Sequence, residues 1–128
     1  MSYVLTRLLE DTQIGEAEER ARKALGDAGF GVLTEIDVSA TMKKKIDKDM
    51  PGYKILGACN PNMAWEALQL EPNIGAMLPC NVILRSVDGG TEVSAVDPVA
   101  SMAAVPNDEL HAVAGQVRDM LSKVVQAV

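Results

Sequence analysis

Two cysteines are the first residues in this sequence able to carry chemistry. Cys59 stands in Gly57-Ala58-Cys59-Asn60-Pro61, between a run that reads as a buried strand and a segment that opens as a helix. A thiol at a helix N-terminus feels the partial positive charge of unpaired backbone N–H groups, which favours thiolate over thiol and makes Cys59 the candidate catalytic nucleophile. Cys80, in Leu78-Pro79-Cys80-Asn81, precedes the apolar run Val82-Ile83-Leu84 and falls at or near a strand start. Both also fit as small buried side chains, since cysteine is among the residues most often found inside. The 20 residues between them hold a helix and a return strand, enough to bring the two thiols together. Convergence would permit a disulfide, a two-thiolate metal site or a persulfide relay.

The remaining side chains narrow these options. There is no Cys-x-x-Cys, and a closed tetrahedral zinc site needs four ligands, whereas one chain offers only His111 beside the cysteines. Soft-metal ligation by two thiolates and a methionine stays open, with Cys59 and Cys80 as candidate metal ligands and Met63, Met77 and Met102 among the seven methionines. Most methionines fill cores. His111 follows Leu110 off the main apolar stripe and reads as a surface side chain rather than a base. Asp97, before Pro98, could orient a base or bind a cation; more simply, it shapes the turn that ends a strand. Neither a Gly-x-x-x-x-Gly-Lys loop nor Gly-x-Gly-x-x-Gly nor Gly-x-Ser-x-Gly occurs, so nucleotide-dependent and serine-hydrolase chemistries have no anchor. Lys43-Lys44-Lys45 is the one basic cluster and reads as a solvated helix face, with an anionic ligand as the alternative.

The elements that must position these residues alternate along the chain. Tyr3 to Leu8 reads as a strand, and the segment from Thr12 as a helix, with Ile14, Ala17, Ala21, Ala24, Leu25 and Ala28 at helical spacing and Gly29 as its stop. A second strand, Gly31 to Val38, leads to a short helix that Ser39 is placed to cap, with Met42, Ile46 and Met50 on one side and Pro51-Gly52 ending it. Tyr53 to Ala58 predicts a buried strand. Asn60-Pro61 opens the next helix, whose Ala64, Trp65, Leu68 and Leu70 are expected to face the core. Strands at Ala76 to Ser86 and Thr91 to Val96 are joined by Asp88-Gly89-Gly90, which makes that pair an antiparallel hairpin. Asn107 caps the last helix, where Leu110, Val113, Ala114, Val117, Leu121, Val124, Val125 and Val128 form one stripe.

The fold class that follows is α+β: a single domain over residues 1–128, with a mainly antiparallel sheet and two long helices packed on one face. The chain has 128 residues, 48% of them hydrophobic, which allows a sizeable core. Nothing in it supplies a second helical layer, so a homodimer through open sheet faces or edges is the expected cover for the other face. A net charge of −6 argues against general nucleic-acid binding, because phosphate neutralisation needs clustered Lys and Arg. No apolar stretch is long enough to span a bilayer, and no secretory signal is visible, so a cytoplasmic, reducing compartment is expected.

Four segments together resemble a known family. They are Gly29 to Val38, Tyr53 to Pro61, Leu78-Pro79-Cys80-Asn81 and Val93-Ser94-Ala95-Val96-Asp97-Pro98, and they are similar to the pattern of the bacterial and archaeal family catalogued as domain of unknown function 302. The resemblance spans essentially the whole chain, in order. It implies a β-α-β(4)-α domain similar to the TATA-binding-protein-like fold, and a homodimer. It implies no DNA binding, since function lives in sites and not in a shared fold, and it brings no activity. It places Cys59, Asn60, Pro61, Cys80 and Asp97 at motif positions, as candidate ligand-binding residues of one site.

Two functions from different classes are compatible with these residues. The first is a homodimeric binding module for a small ligand or soft metal near Cys59 and Cys80. The second is a thiol-dependent enzyme or a sulfur or persulfide carrier, with Cys59 as thiolate, Cys80 as resolving partner and Asp97 as a polar orienter. The first is preferred, because an enzyme normally holds a general base near its nucleophile and the one histidine is poorly placed to be it. The sequence does not specify a cofactor.

Overall fold

Side chains alternate across a strand and recur every three or four residues along a helix, and these two periods decide what this chain buries. The structure, a computed structural model, describes residues 2–128, so Met1 of the expected 1–128 domain lies outside the described residues. Strands β1 (Val4–Glu10), β2 (Gly31–Asp37), β3 (Tyr53–Cys59), β4 (Cys80–Val87) and β5 (Gly90–Val96) form one five-stranded sheet in the order β1-β5-β4-β3-β2. Every neighbouring pair is antiparallel. Helices α1 (Ile14–Asp27) and α5 (Asp108–Ala127) are the long ones; α2 (Val38–Ile46), α3 (Pro61–Leu70), α4 (Pro98–Ser101) and a 3-10 helix, Pro72–Met77, fill the connections.

Register explains why one face is the core. Leu5, Ala95, Val82 and Leu56 fall in one row across β1, β5, β4 and β3. Together with Val93 and Leu84 they pack against Ala17, Ala21, Ala24 and Leu25 of α1 and Val113, Val117, Leu121, Val124 and Val125 of α5. The alanines let α1 approach the sheet closely, while the branched side chains of α5 fill the space beside it. Each fully buried leucine, such as Leu25, Leu56 or Leu121, contributes about 1.5–3 kcal/mol. Arg7 fastens the first strand to the last helix, its Nη1 donating to the carbonyls of Gln126 at 2.7 Å and Val128 at 2.9 Å, which satisfies acceptors at a helix C-terminus.

The opposite face of the sheet carries a row of three isoleucines, Ile36, Ile55 and Ile83, continued by Ser94 and Thr6. Leu8 lies on the same face and is 45% exposed, and Ile36 is 48% exposed. Among the described residues, no helix is long and apolar enough to cross a membrane.

Several expected elements are moved in the structure, each for a local reason. The strand expected from Ala76 begins at Cys80, because residues 72–77 wind into the 3-10 helix and neither Pro72 nor Pro79 can donate to a ladder. Helix α2 is capped by Asp37, whose carboxylate accepts from the Ala40 N–H at 2.9 Å, while Ser39 donates instead to the Pro51 carbonyl. It ends at Ile46, where Asp47 takes a left-handed conformation at φ 55°, ahead of Pro51-Gly52. Met42, Ile46 and Met50 all stay exposed. In α3 the face turned inward carries Met63, Ala67 and Leu70, leaving Trp65 66% exposed and Leu68 outside as well.

Candidate functional site

The site is built where β3 ends and β4 begins. Cys80 lies opposite Ala58 across the β3–β4 ladder, and Cys59 is the next residue along. Gly57 is needed at this point: a Cβ there would overlap Thr34 Oγ1 and lie 2.7 Å from Pro79 Cγ, so only glycine lets Pro79 close against β3. Asn60 then turns the chain into α3, its Oδ1 accepting from the Met63 N–H at 3.3 Å, with Pro61 at the first helical position. That cap sets the first turn of α3, and with it Met63 and Ala64, beside the strand ends.

Asp97 assembles the opposite wall. One carboxylate oxygen accepts from the Val99 N–H at 2.9 Å and caps α4; the other accepts from Arg118 Nε at 3.0 Å and ties α4 to α5. Pro98, Met102, Val113, Ala114 and Val117 are thereby brought over the sheet end. Between the two walls lies a cavity of about 30 Å³, lined on the β3, β4 and α3 side by Ala58, Cys59, Asn60, Met63, Pro79 and Cys80. Phe30, which follows the α1 stop at Gly29, completes it.

This geometry and the sequence can be compared with known proteins. The family model described as "Domain of unknown function DUF302" matches residues 6–128. The chain belongs to the DUF302 family. Among curated proteins, no match is found. The fold is similar to the crystal structure of uncharacterized conserved protein DUF302 from Bacillus stearothermophilus, with a TM-score of 0.93 and 24% identity over 99% of this chain and 98% of that one. At that identity the likeness carries the fold alone.

In this DUF302 chain Cys59, Asn60 and Cys80 line one cavity. Pro61 is exposed and stands just outside it, and Asp97 lies behind the wall, where its neighbour Pro98 supplies the lining. No disulfide joins the cysteines. Cys80 is 7% exposed, and its thiol is pushed up to about 11 by burial, with the nearby Cys59 adding to the effect. Cys59 is half-buried at the cavity mouth. Apart from the two thiols, no lining residue carries an acidic or basic side chain.

Of the methionines singled out in the sequence, Met63 and Met102 line the cavity and Met77 does not. His111 departs from the expected surface position: it is half-buried, and its Nε2 has no hydrogen-bond partner among the described residues. It does not line the cavity. Phe30, Val113 and Val117 were not anticipated as site residues. Their types are those of ordinary core, and only the closing of α5 and the α1 stop over the strand ends turns them toward the cavity.

Proposed function

We propose that this protein is a binding module whose cavity takes a single small, soft guest between Cys59 and Cys80. Capacity carries the proposal. A site for a metabolite or drug-sized ligand holds about 300–1,000 Å³, while this cavity holds about 30 Å³, on the scale of one or two waters or one heavy atom. A soft metal ion fits that volume, as does one sulfur atom added to a cysteine, and both bind sulfur. The wall is largely apolar, and no carboxylate lines it to hold a hydrated, hard ion.

The binding reading is favoured over a thiol-dependent enzyme by what lines the cavity. Neither carboxylate nor imidazole is there to act as a general base, and at neutral pH Cys80, pushed up to about 11, is a thiol and a poor attacking partner. A sulfur or persulfide carrier on Cys59 is the second reading, supported by the position of Cys59 at the mouth, where a donor can reach it.

The same proposal includes a homodimer in the cytoplasm. Its support is the isoleucine row on the open sheet face, where Ile36 and Leu8 remain about half exposed, because burying that surface against a second copy would stabilise both. Reduced cysteines in one cavity suit a reducing compartment. Native mass spectrometry of protein held without oxygen tests the whole reading: a dimer that gains one copper or one sulfur mass per chain supports it. A monomer removes the assembly, and protein that takes up neither guest removes the binding function.

A further inference from the structure

The cavity has a feature that a sulfur carrier does not require: two thioether side chains share it with the two cysteines. Met63 enters from the first turn of α3 and Met102 from the segment after α4, while Cys59 and Cys80 come from the ends of β3 and β4. Four sulfur-bearing side chains from four elements thus line about 30 Å³. Met102 is 4% exposed and Met63 is half-buried, so the set runs from the interior to the mouth. We propose that this four-sulfur cavity is a binding site for one soft monovalent metal ion of the Cu(I) class, with Cys59, Met63 and Met102 as principal ligands and Cys80 as a fourth sulfur contact.

Ligand chemistry selects the ion. Thiolate and thioether donors favour Cu(I), whereas zinc is held by thiolate, imidazole and carboxylate, and here no imidazole or carboxylate lines the walls. Charge selects the stoichiometry of protons. An apolar cavity penalises a net charge, so a cation of charge +1 is best matched by one thiolate and neutral sulfurs. The Cys59 S–H bond breaks, its electron pair forms the bond to Cu(I), one proton leaves to solvent, and the thioethers donate lone pairs; nothing is oxidised or reduced. Asn60 and Met63 at the half-buried mouth leave the ion a route in beside Cys59.

This inference rests on the cavity reading above, and its test separates the two. Reduced protein, free of oxygen, is titrated with Cu(I) in competition with a chromophoric Cu(I) chelator, and proton release is followed in dilute buffer. The expected result is one Cu(I) and one proton per chain, with Cys59→Ser abolishing binding. Met63→Leu and Met102→Leu, which conserve volume, should each weaken it about tenfold while leaving the thermal midpoint near that of the parent. Zn(II) should not compete. Unchanged affinity in both leucine variants overturns the four-sulfur site, as does release of two protons per ion. If Cu(I) is not bound but polysulfide adds one sulfur to Cys59, the metal assignment falls and the cavity reading stands; if neither is taken up, both fall.

Discussion

Cys80 faces Ala58 across the β3–β4 ladder, and Cys59 is the very next residue, so the two cysteines are one register step apart along the backbone at the same end of the sheet. Twenty residues of helix and turn separate them in sequence, and the antiparallel pairing removes that separation. Their accessibility nevertheless differs, with Cys59 at the cavity mouth and Cys80 buried. This asymmetry has a direct chemical consequence.

Alkylation should proceed in order. With Cys80 pushed up to about 11, on the order of one molecule in a thousand carries its thiolate at pH 8. Iodoacetamide on the folded protein should therefore label Cys59 and leave Cys80 unlabelled until the pH approaches that value or the protein unfolds. Peptide mapping after brief exposure across pH 7–11 checks this. Simultaneous labelling of both at pH 8 would contradict the burial that raises Cys80.

Gly57→Ala should cost about 1–3 kcal/mol, because the added methyl must displace both the Thr34 hydroxyl and the Pro79 ring. The loss should appear in chemical denaturation as a lower midpoint with an unchanged slope. It should also loosen the β4 start and speed alkylation of Cys80, since Pro79 precedes that residue.

Asp97→Ala should destabilise by about 2 kcal/mol through the lost α4 cap and the lost Arg118 hydrogen bond. Because Asp97 does not line the cavity but holds the Met102 wall over it, uptake of a guest by the folded fraction should weaken without being lost. Calorimetry gives the first quantity and native mass spectrometry the second. Complete loss of uptake in a folded Asp97→Ala protein would make Asp97 a ligand instead of a positioning residue.

The pH dependence should come from charges between α1, β2 and β3. Lys54 Nζ lies 2.7 Å from both Glu18 and Glu35, and Arg22 reaches the same two carboxylates at 2.9 Å. Burial works against the Glu18 charge, but its hydrogen bonds from Lys54 and Arg22 prevail and hold the carboxyl below 4.5. Its contribution is thus complete above pH 4.5 and fades as pH falls through the lower folded value. Lys54 is raised above 10.5 by Glu18 first and then Glu35, so its contribution is complete below 10.5 and fades as pH rises through the higher folded value. Glu18→Gln should cost about 1 kcal/mol at pH 7, less in high salt. The gap between parent and variant should close in thermal unfolding below pH 4.5.

Local rules made most of the fold legible in advance. Asn60 and Asn107 cap the helices they were expected to cap, Asp88-Gly89 turns the hairpin, and the α5 stripe is buried from Leu110 to Val125. These signals are self-contained: a cap or a turn is satisfied within a few residues. The failures needed information from elsewhere in the chain. Helix α3 has apolar residues on both sides, and only the arrival of α5 decides that Met63 and Ala67 turn inward and Trp65 outward. At the β2–α2 junction two capping residues compete, Asp37 and Ser39, and Asp37 wins because β2 ends there.

The site was legible in part for the same reason. Cys59, Asn60 and Cys80 stand in compact motifs at element ends, so their meeting follows from one hairpin-like return. Met63 and Met102 were singled out in the sequence only together with Met77, as three of seven methionines. Their place in the cavity depends on the Asn60 cap on one side and on the link from Asp97 to Arg118 on the other. Neither contact can be read from local spacing.

The central claim is that one small, soft guest occupies the space between Cys59 and Cys80. Native mass spectrometry of the reduced protein after one equivalent of Cu(I), run beside Cys59→Ser and Cys80→Ser, tests it most directly. The account predicts one copper per chain in the parent, none in Cys59→Ser and weakened retention in Cys80→Ser. Copper retained equally by all three proteins would contradict it, as would a parent protein that takes up neither copper nor one sulfur from polysulfide.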